Sequence, residues 1–157
     1  MKSEGYMKNE KFMAEAIVEA KKAIPSGDVP VGAVVVKDEK IIGRGYNKRE
    51  KNASATAHAE VLAIEDACKN IGSARLDGAV MYVTLEPCPM CAGAIAQARL
   101  DKVVFGAYDE KAGAVGSVFN LYYDFKFPHI PKFCGGVMEQ ECAALLDGFF
   151  ENLRRNK

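Results

Sequence analysis

At 157 residues, 49% hydrophobic and 27% charged, the chain has the size and composition of one folded domain with a real core. Twenty-one basic residues balance 21 acidic ones, which excludes the avid, nonspecific polyanion binding of a strongly basic protein and leaves nucleic acid only a local patch to meet. Five cysteines, an odd number without framework spacing, exclude a disulfide scaffold and fit a reducing cytoplasm.

Residues 1–11 are polar and of mixed charge, without the apolar stretch of a secretory signal, and no later run nears the ~20 apolar residues of a membrane span. Met13, Ile17, Ala20 and Ile24 recur at helical spacing and predict an amphipathic helix that Pro25-Ser26-Gly27 stops. Residues 31–36 and 41–46, apolar and β-branched around a polar turn at 37–40, predict a hairpin. Thr56 is the candidate N-cap of a helix to about Asn70, with Val61, Ile64 and Cys68 on its apolar face. Residues 79–85 are nearly unbroken apolar, the pattern of a central strand covered on both faces, and Glu86-Pro87 ends it. Residues 88–98 read as an alanine-rich helix and 102–107 as the next strand; strand, helix, strand predicts a βαβ unit with parallel pairing. Met138, Cys142, Leu145, Leu146, Phe149 and Leu153 form the apolar stripe of a final helix ending in Arg154-Arg155. The sum is an α/β domain, a mixed sheet between helices, with no linker or internal repeat.

The chemistry is concentrated in a split motif: His58-Ala59-Glu60, then Pro87-Cys88-Pro89-Met90-Cys91. One imidazole and two thiolates are ligands that zinc favours, and three protein ligands leave a fourth position open for water, the mark of a catalytic ion. A Cys-x-x-Cys alone also serves redox pairs and structural zinc knuckles. A closed structural site needs a fourth Cys or His, and Cys68, Cys134, Cys142 and His129 are poorly positioned to supply it. Both halves of the motif fall at predicted helix starts, where unsatisfied N–H groups and the helix dipole favour thiolate over thiol. The expectation is one zinc per chain on His58, Cys88 and Cys91, bringing the pKa of water down towards ~7. Glu60 is then the free carboxylate that takes the water's proton and returns it to a ring nitrogen and to departing ammonia. Read otherwise, it is a solvated first-turn glutamate. His-x-Glu with Pro-Cys-x-x-Cys matches the known signature of zinc nucleobase deaminases. Asn47, ending the hairpin, offers a donor and an acceptor to a base edge, or is a turn asparagine. Glu86 either braces the site or forms a salt bridge.

Longer stretches extend the match. Val29-Pro30-Val31-Gly32-Ala33, Thr56-Ala57-His58-Ala59-Glu60, Thr84-Leu85-Glu86-Pro87-Cys88-Pro89-Met90-Cys91-Ala92-Gly93 and Glu141-Cys142-Ala143-Ala144-Leu145-Leu146 resemble the bacterial tRNA-specific adenosine deaminases. The resemblance runs from about Phe12 to Arg155, the core of a single deaminase domain spanning 1–157. It implies a three-layer α/β/α cytidine-deaminase-like fold, a homodimer in the cytoplasm, and conversion of the wobble adenosine of a tRNA anticodon stem-loop to inosine. Carried over by position, His58, Cys88 and Cys91 are zinc ligands, Glu60 the proton shuttle and Asn47 a contact to the target base. Asp109 matches a position near the flipped nucleotide, and Lys111, Phe150 and Arg154 resemble residues on the RNA-facing side. The family's usual Asn-His before the last strand is Pro128-His129 here, following the aromatic run 119–127. His129 stays a candidate substrate contact at that departure. The aromatic faces suit stacking on unpaired loop bases, a dimer interface or the core. Two other functions stay open. A deaminase of free cytosine, guanine or cytidine would use the same zinc and glutamate. A non-catalytic, zinc-stabilised nucleic-acid-binding protein would not need Glu60.

Overall fold

In the computed structural model, which describes residues 2–156, helix α1 spans Glu4–Lys21. It starts well before the apolar spacing that predicts it, because Ser3 caps it, accepting a hydrogen bond from the Tyr6 N–H at 3.2 Å. Its buried face is Phe12, Met13, Ala16, Glu19 and Ala20. Ile24 lies beyond, in a 3-10 turn at Ile24–Ser26, and is exposed; it is not part of the stripe. Strands β1 (Gly32–Lys37) and β2 (Lys40–Tyr46) form the expected hairpin. Asp38 and Glu39 both take positive φ (50° and 63°), as a two-residue turn between right-twisted strands demands.

Helix α2 covers Ala59–Ile71, and its N-cap is His58 rather than Thr56. Its buried face also differs from the predicted one: Ala59, Glu60, Ala63 and Ala67 face inward, while Val61, Ile64 and Cys68 are half-buried beside them. The cause lies in β2. A Cβ on Gly43 or Gly45 would run into the backbone of α2 around Ala59, Ala63 and Ala67. Glycine against alanine lets the helix approach the strand closely, so the small residues take the inner face.

Strand β3 (Val80–Leu85), helix α3 (Pro89–Gln97) and strand β4 (Lys102–Ala107) make the βαβ unit, with β3 and β4 parallel. A short α4 (Leu121–Asp124), strand β5 (Lys132–Cys134) and helix α5 (Glu139–Arg155) complete the chain. The sheet order is β2-β1-β3-β4-β5; β1 is antiparallel to both neighbours, and β5 is parallel to β4. Alternation along the strands serves two cores. Ala33, Val35, Met81, Val83, Val103 and Phe105 meet the α2 and α3 side. Val34, Val36, Tyr82 and Val104 meet α1 and α5. The result is a mixed five-stranded sheet between two helical layers, a three-layer α/β/α fold.

The aromatic run divides. Tyr122 is core: its hydroxyl donates to the Ala92 carbonyl at 2.9 Å, and Phe127 and Phe133 pack around its ring. Tyr123 and Phe125 are exposed. Helix α5 buries only Cys142 fully; Ala143 and Leu146 pack half-buried against the core, and Phe149 and Leu153 reach the cavity described below. Among the described residues no helix is long and apolar enough to cross a membrane, and all five cysteines are free.

Candidate active site

The carboxyl ends of β3 and β4 and the starts of α2 and α3 converge on one cavity of about 410 Å³. His58 and Cys88 are the N-cap residues of α2 and α3, and neither side chain caps its own helix. Pro89 at the first helical position sets α3 on course, so Cys91 falls at its third residue, next to the cap on the same side. His58 Nδ1 lies 3.5 Å from Cys91 Sγ and 3.7 Å from Cys88 Sγ. Two zinc bonds of 2.3 and about 2.0 Å at the tetrahedral angle would separate a sulfur from a nitrogen by about 3.5 Å, so the donors fit the ion. The three are the cluster whose ligand atoms lie close enough to hold a metal.

The electrostatics of the cluster agree. A hydrogen bond from Cys91 draws the Cys88 thiol down to about 4, helped by His58 and opposed by burial. That same bond to Cys88, together with burial, holds the Cys91 thiol well above the ordinary range. The bond to Cys88 also raises His58 against the effect of burial. One sulfur is thus set to ionise more readily than the other. Glu60, the second residue of α2, is only 4% exposed, and burial pushes its carboxyl up to about 7. It lines the cavity beside His58 and Cys88.

Of the other expected site residues, Asn47 and Asp109 line the same cavity. Asn47 is held in place by its own loop: its amide donates to the Val29 carbonyl (3.2 Å) and accepts from the Arg49 N–H (3.1 Å). Each end of the amide keeps capacity for one more partner. Asp109 accepts from the N–H groups of Lys111 and Ala112, at 3.0 and 3.1 Å, and so shapes the turn that carries Lys111 outward. Lys111 is exposed at the rim. On α5 it is Phe149 and Leu153 that line the cavity; Phe150 stacks on Phe149 with centroids 5.5 Å apart, and Arg154 is exposed beyond. His129 is not brought to the site. Its Nε2 sits 2.7 Å from the Leu100 carbonyl, before β4, whereas Asp109 follows β4 at the opposite end.

Two contributors, Asp28 and Arg49, escape sequence reasoning, and for a third, Glu86, the structure chooses between the two roles the sequence leaves open. Asp28, 1% exposed, accepts from the N–H groups of Glu50 (2.6 Å) and Lys51 (3.1 Å) and from the Ser26 hydroxyl (2.9 Å), fastening the loop that carries Asn47 and Arg49. A carboxylate in a Ser-Gly-Asp turn ordinarily reads as solvated, and no local signal marks this one as buried. Arg49 itself lines the cavity, a cation at the mouth. Glu86 is 1% exposed and has no cationic partner among the described residues; it is a brace, not half of a salt bridge.

Two thiol sulfurs and an imidazole, a buried carboxylate and a cavity of about 410 Å³ on an α/β/α sheet are the arrangement of the zinc nucleobase deaminases. A family model of MafB19-like deaminases matches residues 7–154. The chain is 51% identical over 149 residues to the tRNA-specific adenosine deaminase of Bacillus subtilis (strain 168), covering 95% of this chain and 92% of that protein. A solved structure from studies of A-to-I editing by tRNA:A34 deaminases superposes with a TM-score of 0.81 at 42% identity, over 87% of this chain and 99% of that one. A solved guanine deaminase from Bacillus subtilis is 40% identical over 73% of each chain, with a TM-score of 0.62. The chain belongs to the deaminase family that includes the tRNA-specific adenosine deaminases.

Proposed function

We propose that the protein hydrolyses adenosine to inosine at the wobble position of a tRNA anticodon loop, in the cytoplasm, as a homodimer with one zinc per chain. The observation that carries the reading is the meeting of His58, Cys88 and Cys91 at ligand spacing beside buried Glu60, in a chain half identical to a tRNA-specific adenosine deaminase. Zinc held by the three donors supplies water acidified towards a pKa of about 7. Water's oxygen adds to C6 of the adenine ring, a proton goes to N1, the C6–N bond breaks, and ammonia leaves. Glu60 takes one proton from water and gives it to N1, then takes the second from the oxygen added at C6 and gives it to the amino group as it departs. Burial favours the protonated carboxyl, the form that hands a proton on. Asn47, already fixed by its loop, meets the base edge; Asp109, Lys111, Phe150 and Arg154 meet the nucleotides around it.

An anticodon loop presents a base that is already poorly stacked, so extruding it into the cavity costs little. The homodimer is supported by apolar side chains left exposed around α3 and α4, including Met90, Val118, Phe119, Tyr123 and Phe125. Sedimentation at twice the chain mass checks it.

A second reading, a deaminase of a free purine, is favoured by the likeness to guanine deaminase. Incubating zinc-loaded protein with an anticodon stem-loop bearing wobble adenosine, and in parallel with free adenosine, guanine, cytosine and cytidine, separates the two. Inosine in the stem-loop alone is the expected result. Ammonia from a free base or nucleoside, with the stem-loop untouched, replaces the first reading with the second.

A further inference from the structure

The loop between β4 and α4 carries Asp109, Ala112 and Lys111 to the cavity and its rim, yet it has almost no secondary structure of its own. One side chain makes four hydrogen bonds to it. Glu86 Oε1 accepts from the Asp109 N–H at 3.1 Å and from the Ser117 hydroxyl; Oε2 accepts from the N–H groups of Val115 (3.0 Å) and Ser117 (3.1 Å). The backbone beside it joins in. The Glu86 N–H donates to the Ala107 carbonyl at 2.9 Å, and the Pro87 carbonyl accepts from the Ala114 N–H at 2.9 Å. Gly113 completes the fit, since a Cβ there would collide with the Glu86 carboxyl.

Every partner of this carboxylate is a donor, and none is a cation. A buried acid bonded to three backbone N–H groups of one loop is a way of satisfying donors that an apolar side chain of the same volume would leave orphaned. It is an effective way to hold a loop at one height above a cavity, because the bonds are charge-assisted and spread from the loop's first residue to its last turn. The next residues after Glu86 are Pro87 and Cys88, so the same short segment sets both the metal donor and the loop.

From this we infer that Glu86 is a positioning residue for deamination: it fixes the Asp109–Ser117 loop so that the target nucleotide is held in register with Glu60 and the metal donors. The inference rests on the deaminase reading above. Misplacement by about 1 Å at a reacting centre can cost on the order of a hundredfold in rate, which is the size of effect a lost clamp should produce.

Glu86→Gln keeps the shape but sets an NH₂ group against donor N–H groups. The expected result, with wild-type zinc content, is a kcat on the stem-loop lower by roughly ten- to a hundredfold while KM moves by less than about threefold. Backbone amides over 109–117 should exchange hydrogen faster than in the wild type, and those of α2 and α3 should not. Ser117→Ala, at an exposed position, should show a smaller loss in the same direction, and the double variant should be no worse than Glu86→Gln alone. Wild-type kcat with unchanged loop exchange in Glu86→Gln overturns the inference, as does loss of activity that tracks loss of zinc. If Glu86→Gln does not fold, Ser117→Ala and Gly113→Ala decide, and wild-type kcat in both overturns it. Failure of the wild type to deaminate the stem-loop defeats the functional reading instead. Loop exchange in Glu86→Gln then decides the clamp by itself: faster exchange over 109–117 keeps it, and unchanged exchange ends it.

Discussion

Glu60 has two opposed properties at the residue scale. Burial raises its carboxyl from the ordinary 4.5 to about 7, which suits a proton carrier and burdens the fold. The sign follows from linkage: the folded state binds the proton more tightly than the unfolded chain. The contribution of Glu60 to stability is therefore most favourable below about 4.5, falls as pH rises to about 7, and is level above that. Glu60→Gln removes the burden. Thermal unfolding of metal-free protein at pH 8 is expected to show Glu60→Gln more stable than wild type by up to about 3 kcal/mol, with no gain below pH 5. The same variant should keep its zinc, measured by elemental analysis, and release ammonia at least about a hundredfold more slowly. A variant that loses zinc together with activity would make Glu60 a ligand and remove the proton-carrier role.

At the scale of elements, the site depends on how closely α2 lies on β2. Gly43 and Gly45 leave no room for a Cβ between the strand and the helix backbone. Gly45→Ala must push away the turn of α2 that begins with His58 and Glu60. Overpacking of this kind costs about 1–3 kcal/mol, and here the displaced segment carries His58, a proposed zinc donor. Lower denaturation midpoints and weaker zinc retention in competition with a chelator are expected together. A stability loss with unchanged zinc affinity would show that the helix start moves independently of its middle. The loops are held by a different device. Asp28 and Glu86, each 1% exposed, fasten the two loops that flank the cavity through backbone N–H groups, so the walls are set by long-range hydrogen bonds rather than by local turn chemistry.

Over the whole molecule, formal net charge is +0, so RNA binding must come from the placement of charge. Arg49 lines the cavity, Lys111 stands at its rim, and Arg154 lies one residue past Leu153, which lines it. Lys111→Ala and Arg154→Ala are each expected to weaken stem-loop binding and to reduce the slope of log K against log salt by roughly 0.7 for each phosphate that the variant no longer neutralises. His129→Ala should leave both unchanged, because its imidazole sits against the Leu100 carbonyl, at the far end of β4 from the site. A fall in the salt slope for His129→Ala would mean that the RNA, or a second copy of the chain, reaches round to that edge.

Much of this was legible without coordinates. Periodicity marks β3, β4 and the helix between them because a buried parallel strand is a continuous apolar run and α3 is bounded by Pro87 and Pro89 on one side and the Arg99 turn on the other. The metal donors and Glu60 are legible because coordination chemistry constrains both residue type and spacing within a helix start. What local pattern does not encode is which side of a helix the rest of the chain will press upon. The apolar stripe of α2 points to Val61, Ile64 and Cys68, but two glycines on a neighbouring strand select the alanine face. The same holds for Phe149 over Phe150, for the burial of Asp28, and for the four bonds to Glu86, each made across a gap of more than 20 residues. Sequence alone therefore determined which side chains form the candidate metal cluster, since residue type and spacing are local. Only the tertiary structure decided the shape of the cavity, since its walls are set by contacts between segments that lie far apart in the chain.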